Sequence, residues 1–406
     1  MNGTLNVHRV FKGSRTRRGY LAALGLKHER QESLRDARDR IRKTLREEMP
    51  DWNSLAKAQR LVEYRHVVLA SQLPRLSPKF RMQGSSVYDT LNFPAHLPPQ
   101  EVDFDDGVFL PTSFVNESGS NRPVVASRGY FAMVEEILGP LCADRGWELD
   151  RGKSSCVRVR IDADAHVDLA LYAIPDEDFT ELEEARAMAQ MAKGQVASEL
   201  DFELADEIYT ALLEKRIMLA HRDSGWIESD PREIENWFLD AIADHGKAVR
   251  RVCRYLKGWR DFQWMKGGPS SITLMACVVA VYDELNGTLP ENRDDLALQA
   301  VAGRLEALFS RAIPNPVLPD QQLDEDWSAE KRSDYRARAR GLKTTIDTAL
   351  NRTYHKTVAI AKLREGFGVR IPDDELLIDI ESEERKVRAY APAVVAAPFV
   401  PRTTSG

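Results

Sequence analysis

The run VDFDDGVFL at 102–110 constrains this chain more than any other stretch. Val102 and Phe104 alternate with Asp103 and Asp105. Successive side chains of a strand point to opposite faces, so both carboxylates share one face and the apolar residues the other. Two carboxylates so close repel each other unless a cation lies between them. Hard oxygen ligands in that arrangement suit Mg²⁺, which keeps part of its water shell and takes phosphate oxygens as its remaining ligands. The strand is half of a metal site. A clamp of two ions roughly 3.5–4 Å apart needs a further carboxylate from a neighbouring strand. Asp168 is the candidate: in HVDLALYAIP, Val167, Leu169 and Leu171 form one face and Asp168 points away from them. Just upstream, CVRVRID alternates Val157, Val159 and Ile161 with Arg158, Arg160 and Asp162, which predicts a neighbouring strand with a cationic face. A cationic strand beside acidic ones fits a triphosphate.

The order of these elements narrows the reading. Gly84-Ser85, then Asp-x-Asp about 18 residues on, then a single Asp on a later strand, resembles the layout of the DNA polymerase β-like nucleotidyltransferases. QGSSVYDTLN, PPQEVDFDDGVFLP, HVDLALYAIP, WIESDP, RRVCRYLKGWRDFQW and GGPSSITLMA look like the corresponding stretches of bacterial cyclic GMP-AMP synthases, dinucleotide cyclases of the CD-NTase family. These segments span residues 81 to 285 and keep all three carboxylates; outside them the resemblance is one of general character.

That resemblance implies that Asp103, Asp105 and Asp168 hold two Mg²⁺ ions, with Mn²⁺ as a substitute, and that Gln83, Gly84 and Ser85 cradle the donor triphosphate. Tyr88 matches a tyrosine that stacks on a nucleobase, a core aromatic being the plainer reading. Arg158 matches a strand arginine facing the triphosphate. Ser229 and Asp230 match a turn bordering the nucleotide pocket, and also read as an ordinary helix start with proline in its first turn. Lys257 matches a phosphate-contacting lysine; it belongs to a stripe with Lys247, Arg250 and Arg254 at spacings that put all four on one helix face, as a solvated face would also do. Ser270 and Ser271 open an apolar helix, where exposed amides favour an anion or the hydroxyl simply caps.

The implied activity is Mg²⁺-dependent synthesis of a cyclic dinucleotide, 3′,3′-cyclic GMP-AMP, from ATP and GTP, as a second messenger in the anti-phage signalling known as CBASS. A product-sensing effector protein would be its downstream partner. Two alternatives use the same residues: a transferase that releases a linear product, and a regulator that binds nucleotides without joining them. A folate-like regulatory site, found in close relatives, would draw on Arg35, Arg38, Arg40 and Arg42, which also read as an ordinary solvated helix.

Composition agrees with a large globular enzyme: 406 residues, 43% apolar and 30% charged. No run approaches the ~20 apolar residues of a membrane span, so a cytoplasmic protein is expected. Cys142, Cys156, Cys253 and Cys277 lack metal-ligand spacing and predict neither disulfides nor zinc. A net charge of −6 argues against a nucleic-acid partner.

The pattern predicts an α+β, bilobal protein: N-terminal helices and a mixed-sheet lobe over 1–175, a helical lobe over 176–385 that completes a nucleotide cleft, and a flexible tail over 386–406. Residues 1 to about 20 read as irregular, and helices are expected near 29–49, 53–73, 129–145, 178–193, 200–220, 231–264, 271–286, 293–310 and 327–364. In the resembling family a C-terminal glycine can be conjugated by a ubiquitin-like E1-E2 fusion ligase, which makes Gly406 a candidate conjugation site.

Overall fold

The structure is a computed structural model; it describes residues 3–49, 77–111, 127–175, 179, 217–229, 231–286 and 288–388. The expected helix 53–73, all but residue 179 of the helix 178–193, most of the helix 200–220, and the tail from 389 lie outside the described residues.

Contacts divide the chain into two compact units, residues 25–239 and residues 1–24 with 240–406. The boundary near 175 read from the pattern is not where the contacts divide the chain, because β7 and β8 beyond it join the same sheet and the contacts bring together segments distant in sequence.

In the unit 25–239, strands β2 (Lys79–Met82), β3 (Val102–Pro111), β4 (Glu148–Asp150), β5 (Val157–Asp162), β6 (Ala165–Ile174), β7 (Met218–His221) and β8 (Gly225–Glu228) form one mixed sheet. Its main order is β2-β3-β6-β5-β4, with β7 pairing the far end of β6 and β8 pairing β7. β3 and β6 run parallel; the other pairs are antiparallel. Residues 218–220, expected to close a helix, belong instead to β7.

Helix α3 (His28–Glu48) and helix α5 (Ser127–Arg145) supply the cover of one sheet face. α5 buries Tyr130, Phe131, Val134, Ile137, Leu138 and Cys142, the three-and-four spacing of a one-sided helix, in a core with Phe104, Val108, Leu110, Val157, Val159, Val167, Leu169 and Leu171. This core fixes the chemistry of the opposite face. A slip of one residue in β3 would turn Phe104, Val108 and Leu110 to the other side, at about 1.5–3 kcal/mol for each side chain exposed. The carboxylate face is therefore held by the apolar one.

Asp106 breaks the alternation of β3, and α3 explains it. The Arg42 guanidinium donates two 2.7 Å hydrogen bonds to the Asp106 carboxylate, and both side chains are fully buried. Removing one member of such a pair leaves an uncompensated charge in the core, a loss of about 3–5 kcal/mol. Arg38 and Arg40 pair with Asp39 and Asp36 on the same helix.

In the other unit, β1 (Gly3–Asn6) pairs antiparallel with β9 (Asp379–Ser382). Much of residues 3–20 is thus regular rather than irregular: helices α1 (His8–Lys12) and α2 (Tyr20–Ala23) bury Val10, Phe11 and Tyr20 among Tyr255 and Phe367. The helix expected over 231–264 is two, α6 (Pro231–His245) and α7 (Ala248–Gln263), broken at Gly246. α8 (Ser271–Leu285) and α9 (Asp294–Leu308) stand close to expectation. The helix expected over 327–364 is α10 (Ala329–Asn351) and α11 (Lys356–Phe367). Residues 383–388 form a short helix, where the pattern predicts tail from 386. Among the described residues no helix is long and apolar enough to cross a membrane.

Candidate active site

The parallel pairing of β3 with β6 sets Asp105 opposite Asp168 and Asp103 opposite His166. β5 continues both rows, with Arg158 opposite Asp168 and Arg160 opposite His166. Residues 63 positions apart are thereby placed side by side by backbone hydrogen bonds alone.

Basic side chains on β5 and β6 meet the acids of these rows. Arg158 forks onto Asp168, with Nε to Oδ1 at 2.7 Å and Nη2 to Oδ2 at 2.6 Å. Burial disfavours the Arg158 cation, but the hydrogen bonds and charge of Asp168 outweigh it and push its pKa up. Arg158 was expected to face a triphosphate; here its guanidinium is committed to the carboxylate. In the second row His166 stands between two acids, Nδ1 to Glu101 Oε2 at 2.5 Å and Nε2 to Asp103 Oδ1 at 2.8 Å. Both ring nitrogens are thus engaged with carboxylates. Burial alone would lower its pKa; Asp103, with Asp168 adding charge, raises it. Glu101 is desolvated too, yet hydrogen bonds from His166 and Arg160 hold its carboxyl below the usual range. Arg160 also reaches Asp150 at 3.2 Å.

Ligand atoms of Asp103, His166 and Asp168 lie within 4.8 Å of one another. Asp105 turns towards the Gly-Ser segment. Helix α4 (Gly84–Val87) is a single turn that starts at Gly84 with φ +64°, and a Cβ on Gly84 would lie 2.0 Å from Asp105 Oδ2. Only glycine permits both the backbone conformation and the carboxylate. The Gln83 amide N–H donates to the Asp105 carbonyl at 3.1 Å, tying this turn to β3. Gly107 repeats the device: a Cβ there would meet Gln83 Nε2 at 2.1 Å. The Gln83 side chain also accepts from Tyr172 Oη at 3.1 Å, and Tyr172 stacks on Phe109 at 4.8 Å. Gln83 Nε2 and Ser86 Oγ are buried polar atoms without a hydrogen-bond partner among the described residues. Such atoms are rare in finished cores and common where a polar ligand completes the bonding.

The donor set fits a divalent cation: carboxylate oxygens suit Mg²⁺, and a nearby imidazole is compatible with Mn²⁺. Tyr88 packs its ring edge-on to Phe238 at 6.1 Å. Burial, reinforced by Glu235 and Asp105, raises its phenol pKa. Ser229 follows β8, and its amide donates to the Ile217 carbonyl at 3.0 Å. Asp230 and Gly406 lie outside the described residues.

The remaining candidates belong to the other unit. Ser270 caps α8, accepting from the Thr273 amide at 3.2 Å, and Ser271 Oγ accepts from Arg260 at 3.0 Å. Both serines thus have structural work. Lys257 on α7 is 5% exposed, and burial, with Arg260 next, lowers its pKa to about 8. Below pH 8 the folded state carries the desolvated charge; between 8 and the ordinary value of 10.5 the native lysine is neutral while the unfolded one stays charged. Stability relative to Lys257→Met is therefore expected to rise across that window, by on the order of 3 kcal/mol at most. Urea unfolding of both proteins at pH 7 and pH 10 measures it, and equal differences at the two values would contradict it.

Sequence reasoning missed His166, Glu101 and Ser86. The signal for the first two was present: each stands two residues before a named aspartate, and so is on the same strand face or its extension.

A mixed sheet that sets an Asp-x-Asp strand in parallel register with a third aspartate, beside a glycine-opened turn, defines the protein as a nucleotidyltransferase. Residues 78–172 match the family described as cyclic GMP-AMP synthase DncV-like, nucleotidyltransferase domain, and residues 246–380 match cyclic GMP-AMP synthase, C-terminal domain. The chain belongs to the bacterial cyclic GMP-AMP synthase family. It is 32% identical over 315 residues to the cyclic GMP-AMP synthase of Vibrio cholerae serotype O1, covering 75% of this chain and 70% of that protein. A cyclic GMP-AMP synthase of Escherichia coli is 32% identical over 340 residues, 80% of this chain and 73% of the relative. The fold is similar to that of V. cholerae DncV cyclic AMP-GMP synthase solved in complex with the linear intermediate 5′ pppA(3′,5′)pG, with a TM-score of 0.73 and 26% identity over 94% of this chain and 100% of that one. The di-nucleotide cyclase of the same organism in complex with GTP and 5MTHFGLU2 gives 0.74 at 27% identity, over 93% and 100%.

Proposed function

We propose that this chain joins ATP and GTP into a cyclic dinucleotide, 3′,3′-cyclic GMP-AMP, using two Mg²⁺ ions held by Asp103, Asp105 and Asp168, as the signal generator of a cytoplasmic anti-phage (CBASS) response. The observation that carries this is the row Asp105–Asp168–Arg158, with Gly84 laid against Asp105, in a chain matching the family across both of its domains.

The residues divide the work. The one-turn helix α4 presents backbone amides and the Ser85 hydroxyl beside the carboxylates, with Gln83 Nε2 and Ser86 Oγ as further groups for the donor triphosphate. Arg158 neutralises Asp168 in the free protein and is the cation closest to hand for phosphate oxygens. Lys257 keeps its charge at neutral pH, as a phosphate-contacting lysine requires. Tyr88 offers a ring face to a base. Ser229 and Asp230 border the nucleotides. When bound, the two ions would activate the acceptor hydroxyl and neutralise the departing pyrophosphate. The same carboxylates serve twice: the linear product turns over so that its remaining triphosphate meets them for ring closure. The relative solved with a linear intermediate supports a two-step course. Downstream, an effector protein reads the product, and a ubiquitin-like E1-E2 fusion ligase conjugates the chain through Gly406.

Incubation with the four ribonucleoside triphosphates and Mg²⁺, phosphatase digestion and mass spectrometry test the reading. A phosphatase-resistant dinucleotide containing adenine and guanine is expected. A product that phosphatase trims would instead establish a linear-product transferase.

A further inference from the structure

We propose that His166, braced by Glu101, is a positioning residue that fixes the Asp103 carboxylate for the cation; this rests on the metal-site reading above. Of the two acids in the cation group, Asp168 is 12% exposed and clamped by Arg158, whereas Asp103 is 51% exposed. A carboxylate that open rotates among rotamers unless something grips it, and each rotamer lost on binding weakens affinity. His166 grips it. Its ring is 5% exposed and held at both nitrogens, so it can neither flip nor swing without losing a hydrogen bond. Behind it Glu101 is held by Arg160, and Arg160 by Asp150 on β4. A line of hydrogen-bonded acidic and basic side chains thus runs from Asp150 on the edge strand β4 through Arg160, Glu101 and His166 to Asp103.

The same geometry argues against His166 as a direct ligand. Nε2 and Nδ1 are already engaged with Asp103 Oδ1 and Glu101 Oε2, so direct coordination by His166 would break one of these hydrogen bonds. Partners that orient a ligand in this way typically change metal affinity 10–100-fold when removed.

Mn²⁺ binding to the nucleotide-free full chain, followed by the loss of the free-ion electron paramagnetic resonance signal, tests the assignment. The Kd is expected to rise about tenfold in His166→Ala and about threefold in Glu101→Ala. His166→Gln, whose amide keeps an N–H for Asp103, should recover most of the affinity. Spin-echo spectra of the wild-type complex should show no directly bonded imidazole nitrogen. Wild-type affinity in folded His166→Ala overturns the proposal, as does a bonded nitrogen signal that this variant removes. Should His166→Ala fail to fold, unchanged affinity in Glu101→Ala overturns it. Asp105→Ala separates the two readings. If it abolishes Mn²⁺ binding while the His166 and Glu101 variants bind normally, only the positioning role falls; if the wild type binds no Mn²⁺, the metal site falls with it.

Discussion

Asp105→Ala is expected to lower dinucleotide synthesis by at least about 10³-fold while unfolding at the wild-type temperature or slightly above it. The loss of activity follows from removing a ligand that no neighbour can replace, since the pairing of β3 with β6 permits one side chain at that place in the row. The retained stability follows from electrostatics: Asp105 lies opposite Asp168 and beside Asp103, so its removal relieves repulsion among like charges. Asp168→Asn should be equally inactive but less stable, because the amide leaves the Arg158 guanidinium, 14% exposed, without its charged partner. Pyrophosphate release and thermal unfolding measured on both variants give the comparison. Residual pyrophosphate release above about a hundredth of wild type in Asp105→Ala would contradict the assignment of the metal ligands.

Gly84→Ala should be nearly as severe for a different reason. A residue with a Cβ at φ +64° is strained by roughly 1–2 kcal/mol, and that Cβ would sit 2.0 Å from Asp105 Oδ2 and 2.9 Å from its Cγ. Asp105 has two side-chain torsions, so the carboxylate must leave its place or the turn must open. Either movement separates the phosphate-binding turn from the cation site. A fall in kcat of about a hundredfold is expected, with a modest loss of stability, where Ser85→Ala should act chiefly on KM. Activity of Gly84→Ala within threefold of wild type would show that this close approach is not required.

What could be read beforehand was whatever depends on local periodicity. Asp103, Asp105 and Asp168 announce themselves because a strand covered on one face must alternate, and the residues that break its greasy side stand out. α3 and α5 were legible for the same reason. The face of His166 was legible too, two residues before Asp168, but its bridging of Glu101 and Asp103 depends on the pairing of β6 with β3. Asp106 looked like one more acid in the run, and its role depends on Arg42, 64 residues away and on another element. Charge misled in the first twenty residues, where arginines and lysines hide the three apolar side chains that dock into the core. The breaks at Gly246 and after Asn351 were hidden because apolar spacing continues across them. The division of the chain could not be read at all, because no local pattern records that Gly3 pairs with Ser382.

That last pairing sets an order of events during synthesis. β1 leaves the ribosome well before the strand it needs, β9, which is made some 380 residues later. At about 5–20 residues per second the wait is roughly 20–75 s, longer than a small domain needs to fold. The carboxylate-bearing sheet, whose residues all lie between 25 and 239, has its strands complete within that interval. The nascent protein can therefore hold its three aspartates in register before the unit carrying Lys257 is complete, and β1 remains an open edge until translation has passed Ser382.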